Sequence, residues 1–279
     1  MAAVATLATA AGCGSGGSGL RVVASTNVYG DIAGQIAGRD ATVTSLLTSP
    51  DADPHLFEPG TEAGLQVARA RVLVENGLGY DTFVERLADA SPSSSRVTVN
   101  VADVLGVSGD GANPHLWYDL PRIPRVARAI AAALVRVDPK HARGYRSRLS
   151  TFVADTRRLS AIRLPRGRSV AATEPVADRL LAAYGIRDRT PEEFARAIEN
   201  GTEPSPAAVS ALQNLLRTHA VDALVYNEQA VSPITKRMSA LAKDSNVPVV
   251  GVTETLPPHL DFQQWQRRQL LALRRALTP

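Results

Sequence analysis

The sequence predicts an α/β protein of two lobes with parallel sheets, joined by one long helix. Three observations lead there. Short runs rich in Val, Leu, Ala and Thr alternate with helical stretches along most of the chain. These runs are largely apolar and β-branched, as in strands of a parallel sheet covered on both faces. One amphipathic stretch, longer than the others, lies at mid-chain. With 279 residues, 44% hydrophobic and 21% charged, the chain has the size and composition for one large or two medium globular cores.

Taken in order, "LRVVAST" (20–26), "TVTSLL" (42–47), "ARVLVEN" (70–76) and "RVTVNVA" (96–102) read as strands. Helices are expected near 28–38, 61–69 and 81–90. The mid-chain stretch "DPKHARGYRSRLSTFVADTRRLSAIR" places Ala142, Tyr145, Leu149, Phe152, Thr156 and Leu159 at steps of three and four, a single helical stripe. Asp138 and Pro139 suit a helix start, and Pro165-Arg166-Gly167 ends it. About 25 residues make a rod of roughly 38 Å. "SVAAT" (169–173), "DALVYNE" (222–228) and "PVVGVTE" (248–254) are the strands beyond it. Helices are expected near 175–184, 204–219, 232–245 and 261–277. In "GTEPSP" (201–206), Ser205 reads as a cap and Pro206 as a first helical residue. The implied division is 1–19 tether, 20–137 N-terminal lobe, 138–163 linking helix and 164–279 C-terminal lobe.

Composition removes several function classes. The single cysteine, Cys13, excludes an internal disulfide framework and a cysteine-rich zinc site. Residues 121–170 carry 13 basic and 2 acidic side chains. No aromatic-interleaved basic run or zinc-finger spacing accompanies them, so nucleic acid is not the expected partner. Arg143, Arg146, Arg148, Arg157 and Arg158 fall off the apolar stripe and read as a solvated helix face.

The chemistry-bearing residues lie elsewhere. "DADPHLFEPG" (51–60) holds His55 between Pro54 and Pro59, which stop both helix and ladder and leave a loop of set shape. "NPHLWYD" (113–119) repeats the Pro-His pair at Pro114 and His115, in a chain with five histidines. His55 follows the second strand and His115 the fourth. Glu174 follows "SVAAT", and Glu254 follows "PVVGVT". Ligands of such sheets bind beyond the carboxyl ends of strands. With facing lobes, two imidazoles and two carboxylates converge, a ligand set for a divalent transition metal. Glu228 is a further carboxylate near that end, and Trp117 is placed to pack beside the site. His141, His219 and His259 are assigned no metal role; His141 is expected to be solvated.

The motifs "DPHLFEP", "NPHLWYD", "LLAAYGI" after a ligand at a strand end, and "PVVGVTET" together resemble the cluster A-I substrate-binding proteins of zinc and manganese ABC importers, over residues 20–277. The resemblance implies two Rossmann-like lobes with parallel sheets, one rigid linking helix and a metal site in the cleft. His55 and His115 match the family's first two ligands. Glu174 matches a third position that is His in many zinc binders and Glu in many manganese binders. Glu254 stands where Asp is usual. The cargo implied is Zn2+ or Mn2+. Two carboxylates favour manganese, whereas the affinity order of divalent metals favours zinc. The partners implied are an ABC permease and its ATPase, with the binding protein itself a monomer.

"MAAVATLATAAGC" followed by "GSGGSG" resembles a bacterial lipoprotein signal and tether. That implies a lipidated Cys13 and an extracytoplasmic protein held at the membrane surface. Two other classes fit the fold, a metal-dependent hydrolase and an adhesin. Four protein ligands leave no open position of the kind catalytic zinc needs, and no HExxH, GxSxG or phosphate loop occurs. No enzymatic activity is therefore expected.

Overall fold

The computed structural model describes residues 19–50 and 57–278. Cys13 and His55 lie outside the described residues. Strands β1 (Arg21–Thr26), β2 (Thr42–Leu47), β3 (Val72–Glu75) and β4 (Val97–Asn100) form one sheet in the order β2-β1-β3-β4. Strands β5 (Ser169–Ala172), β6 (Arg187–Asp188), β7 (Ala223–Asn227) and β8 (Val249–Val252) form a second, in the order β6-β5-β7-β8. Every pairing is parallel. The central strands are the buried ones: β3 and β5 are buried throughout, and β1 in five of six residues.

Between the strands of the first sheet lie α1 (Asn27–Ala37), α2 (Thr61–Ala68) and α3 (Thr82–Asp89). The short α4 (Val101–Leu105) follows β4, capped by the Asn100 side chain accepting from Asp103 N at 3.1 Å. The second half holds α7 (Asp178–Ala183), α8 (Glu192–Glu199), α9 (Pro206–Arg217), α10 (Pro233–Asp244) and α11 (Phe262–Leu277). Ser205 caps α9 by accepting from Ala208 N at 3.2 Å, with Pro206 as the first helical residue. Among the described residues no helix is long and apolar enough to cross a membrane.

Several elements differ from the sequence reading, α4 among them, which begins at Val101 where a strand was expected to run to 102. Residues left unassigned there form α5 (Ile123–Val137), which buries Ile123, Val126, Ala127, Ile130, Ala131 and Leu134 along one face. α8 and the two-residue β6 were also unassigned; β6 is exposed, so it carries no apolar signal.

The mid-chain helix is α6 (Ala142–Leu159), about 27 Å long at 1.5 Å per residue, shorter than expected over 138–163. A 3-10 turn, Pro139–His141, precedes it. Asp138 does not cap it with a side-chain bond. The Asp138 carboxylate instead accepts from Tyr145 at 2.7 Å and lies 2.6 Å from His141 Nδ1, so His141 is paired rather than solvated. The stripe behaves as expected at Tyr145, Phe152, Thr156 and Leu159, all buried. Arg148 does not join the solvated face. Its guanidinium donates to Ile36 O at 2.7 Å, Ala37 O at 2.8 Å and Asp40 Oδ2 at 2.6 Å, which satisfies the last carbonyls of α1.

One core runs through both halves. Val22, Ala24 and Val74 of the first sheet belong to the same buried cluster as Val170, Val225 and Val252 of the second, with Trp117, Phe152 and Trp265 between. α11 packs on β8, α6 and α1, so the last helix returns to the first half. Polar bonds follow the same route. Asn27 donates to Leu256 O at 2.8 Å and accepts from Leu256 N at 2.9 Å, and Phe262 N donates to Asp31 Oδ2 at 2.9 Å. Opening such an interface exposes apolar surface and strands these groups, which opposes a wide hinge motion.

Candidate metal site

β5 ends at Ala172, and Thr173 N still donates to Val225 O at 2.9 Å. The next residue, Glu174, precedes Pro175, which holds it extended at φ −152°, ψ 161°. That backbone delivers the Glu174 carboxylate beyond the strand end. Its side chain makes no cap bond to the 3-10 turn Pro175–Ala177. It accepts instead from the Asn227 side chain. A role as a charge at a helix start is therefore not what the geometry displays.

Asn227 is the last residue of β7. Its Nδ2 also donates to Glu254 Oε1 at 2.8 Å. Its Oδ1 accepts from Gln229 N at 3.0 Å, and its own N–H donates to Thr173 Oγ1 at 3.0 Å. Since Oδ1 faces an N–H, the NH2 group must face the carboxylates. Glu254 stands two residues beyond β8. Gln229 Oε1 accepts from Glu254 N at 2.6 Å and Thr255 N at 2.9 Å, which sets the turn carrying it. Glu174, Asn227 and Glu254 are 3%, 1% and 0% exposed.

The first half meets this pair with His115 and Tyr80. His115 Nε2 lies 3.4 Å from Glu254 Oε2. Its Nδ1 lies 2.9 Å from Asn113 Oδ1, which also accepts from His115 N at 2.9 Å. Asn113 Nδ2 donates to Pro175 O at 2.6 Å, so the amide orientation is settled and Nδ1–H is the donor. Nε2 is thereby the ring nitrogen that faces Glu254, the arrangement found in metal-ligating imidazoles whose other nitrogen is bonded. Tyr80 OH donates to Glu254 Oε2 at 3.1 Å. Burial, and then the Glu254 carboxylate, push its pKa well above the usual tyrosine value, so it remains a donor. Trp117 is fully buried, with its ring edge-on to His115 at 5.4 Å and 4.9 Å from Tyr80. It packs beside the site and is core at once.

His115, Glu174 and Glu254 are thus brought into one buried network. Among the described residues no three His, Cys, Asp or Glu side chains gather tightly enough to hold an ion by themselves. His55, the fourth expected ligand, lies outside the described residues. Glu228 is not part of the network. It is exposed and folds over Gly251 of β8, where a Cβ would come within 2.1 Å of its Oε1. There it lines a separate cavity of about 340 Å³ with Trp265, Arg268 and Arg275. His141, His219 and His259 also lie elsewhere: His141 bonds Asp138, and His219 and His259 have left-handed backbones at φ 52° and 65°. Asn113, Asn227 and Tyr80 were not anticipated. The rule that placed Glu174 and Glu254 at strand ends would also have selected Asn227.

Known proteins match this chain in sequence and in fold. The family model ZnuA, zinc-uptake complex component A periplasmic, matches residues 22–276. The manganese-binding lipoprotein MntA of Halalkalibacterium halodurans is 27% identical over 262 residues, covering 88% of this chain and 85% of the relative. The metal ABC transporter substrate-binding lipoprotein FimA of Streptococcus parasanguinis is 27% identical over 266 residues, with 87% and 82% covered. The fold is that of the periplasmic zinc binding protein TroA of Treponema pallidum, with TM-score 0.80 and 17% identity over 93% of this chain and 99% of that one. It is also that of the substrate-binding protein FpvC of Pseudomonas aeruginosa, solved with Mn2+, with TM-score 0.76 and 22% identity over 92% and 98%. Matched by that model over nearly its whole length, the chain belongs to the ZnuA family, the extracytoplasmic substrate-binding proteins of zinc and manganese ABC importers.

Proposed function

We propose that the chain captures one divalent transition-metal ion with His55, His115, Glu174 and Glu254, and hands it to an ABC permease and its ATPase. The observation that carries this is the approach of His115 Nε2 to Glu254 Oε2 at 3.4 Å, two residues from opposite halves of the chain. Lobes at 20–137 and 164–279, with the linker between, would let one ion close the cleft from both sides. Four protein ligands fill a tetrahedral shell and leave no position for a reacting water, which suits capture rather than hydrolysis. The protein acts as a monomeric binding protein and not as an enzyme, held at the membrane surface through a lipidated Cys13. Relatives named for manganese, iron and zinc leave the cargo within the same metal class.

Calorimetric titration of metal-free protein tests the reading. One ion per chain is expected, with zinc bound more tightly than manganese because the affinity order runs that way. Manganese displacing equimolar zinc would refute the ordering. Turnover of esters, phosphates or lactams by the metal-loaded protein would favour the hydrolase.

A further inference from the structure

We propose that Asn113 is a positioning residue that ties His115 to Glu174, so that the metal meets one ligand from each half of the chain as a preset pair. This rests on His115 and Glu174 as ligands, as proposed above, and on no other member of that set. Asn113 stands two residues before His115, and its amide works in both directions. Oδ1 accepts from His115 N at 2.9 Å and lies 2.9 Å from His115 Nδ1. Nδ2 donates to Pro175 O at 2.6 Å, and Pro175 directly follows Glu174. One side chain therefore bonds the imidazole of one ligand and the backbone beside the other.

The same segment of the second half also holds Asn113 by its main chain. Arg179, in the first turn of α7, donates from Nη2 to Asn113 O at 2.7 Å, and its Nη1 lies 3.9 Å from Asp119 Oδ2. The loop 113–119 is thus fastened at both ends to residues 175–179. The two bonds of the Asn113 side chain have different consequences. The one at Nδ1 sets which ring nitrogen keeps its proton and leaves Nε2 to meet an ion. The one at Pro175 O sets where that ring stands relative to Glu174. An amide does both because it carries an acceptor and a donor, whereas a carboxylate offers acceptors alone. Groups already held in their bound geometry lose less freedom on binding, which appears as affinity.

The test compares Asn113→Ala and Asn113→Asp in the full chain, with zinc as the probe in competition against a chelator. Asn113→Ala loses both side-chain bonds, and its zinc affinity is expected to fall about 10–100-fold, the range typical of groups that orient metal ligands. Asn113→Asp keeps an acceptor for Nδ1–H and lacks a donor for Pro175 O. Nitrogen–proton correlation spectra of the imidazoles, taken without metal at about pH 8 where the ring is ordinarily neutral, read the tautomer. His115 should be the Nδ1–H form in the unaltered protein and in Asn113→Asp, and shift toward Nε2–H in Asn113→Ala. A carboxylate on Nδ1–H by itself strengthens the imidazole as a ligand. Weaker zinc binding by Asn113→Asp, with the tautomer kept, therefore traces to the lost donor on Pro175 O, and is the expected result. Affinity in Asn113→Asp equal to or above that of the unaltered protein would overturn the proposal, as would unchanged affinity in Asn113→Ala. Either result beside a large loss in His115→Ala leaves the ligand set standing. If His115→Ala and Glu174→Ala both bind zinc as the unaltered protein does, the ligand set itself falls. Should the Asn113 variants fail to fold by circular dichroism, the spectrum of the unaltered protein decides: an Nε2–H tautomer at His115 refutes the proposal, and Nδ1–H supports it.

Discussion

The two halves share one topology and use it differently. Strands β2-β1-β3-β4 and β6-β5-β7-β8 follow the same order, with the chain crossing from one side of the first strand to the other. That reversal opens a crevice at the carboxyl ends of β1 and β3 in one half and of β5 and β7 in the other. An asparagine stands at the corresponding place in each. Asn76, just past β3, accepts from Tyr29 OH at 2.5 Å and donates to Gly77 O and Pro114 O, both at 2.9 Å. Asn227, ending β7, donates to two carboxylates. One amide anchors the backbone of the loop that carries His115. The other orders charged side chains directly. The first half thus presents imidazole from a loop and must brace that loop. The second presents carboxylates from strand ends, where the sheet does the bracing. A shared topology supplies the location, and the side chains at it decide the chemistry.

The comparison breaks most sharply at the proposed ligands. His115→Ala, from the first half, and Glu174→Ala, from the second, should each weaken zinc binding well beyond the roughly 10–100-fold of a supporting residue. His55→Ala should behave alike, and His141→Ala should bind normally. Titration calorimetry showing normal binding in either of the first two would end the two-sided reading.

Asn76→Ala tests the bracing. It leaves Pro114 O and Tyr29 OH without their buried partner, so a loss of about 2–3 kcal/mol in urea unfolding is expected. Zinc affinity should fall by about tenfold as the His115 loop loosens. Loss of affinity at full stability would show that Asn76 acts on the metal and not through the loop.

Glu75, beside Asn76, gives a smaller effect with a pH signature. Burial raises its pKa to about 7, against the opposing bond from Asn100 Nδ2 at 3.0 Å. A carboxyl with a raised folded pKa binds its proton more tightly when folded, so its cost is absent below the unfolded value near 4.5 and complete above about 7. Glu75→Gln should therefore stabilise the protein by about 1–2 kcal/mol at pH 8 and by little at pH 4. Equal stabilisation at both pH values would locate the gain in packing instead.

The least change is expected in shape. The continuous core, and the bonds from Asn27 and Asp31 to the last quarter of the chain, resist wide opening. Metal addition should produce a small tilt with reordering of the loop near 228–235. Solution scattering with a large change in radius of gyration would contradict the tight coupling of the halves.

Local pattern alone determined the strands with apolar, β-branched runs, because burial on both faces leaves that trace in composition. The same is true of the α9 cap, whose chemistry is written within a few residues. The positions of Glu174 and Glu254 beyond strand ends were legible too, because the apolar runs that mark the strands also mark where they stop. Tertiary structure decided the rest. β6 is two exposed residues, stabilised by pairing with β5 and not by its own composition. Arg148 reads as one of five solvated arginines until α1 is seen to end beneath it. The same holds for Asn227. An asparagine at a strand end has no signature of its own, and its role depends on Glu174 and Glu254, 53 and 27 residues away in sequence. A hydrogen bond between residues so far apart is selected by the packing of three strands, and no local periodicity encodes it.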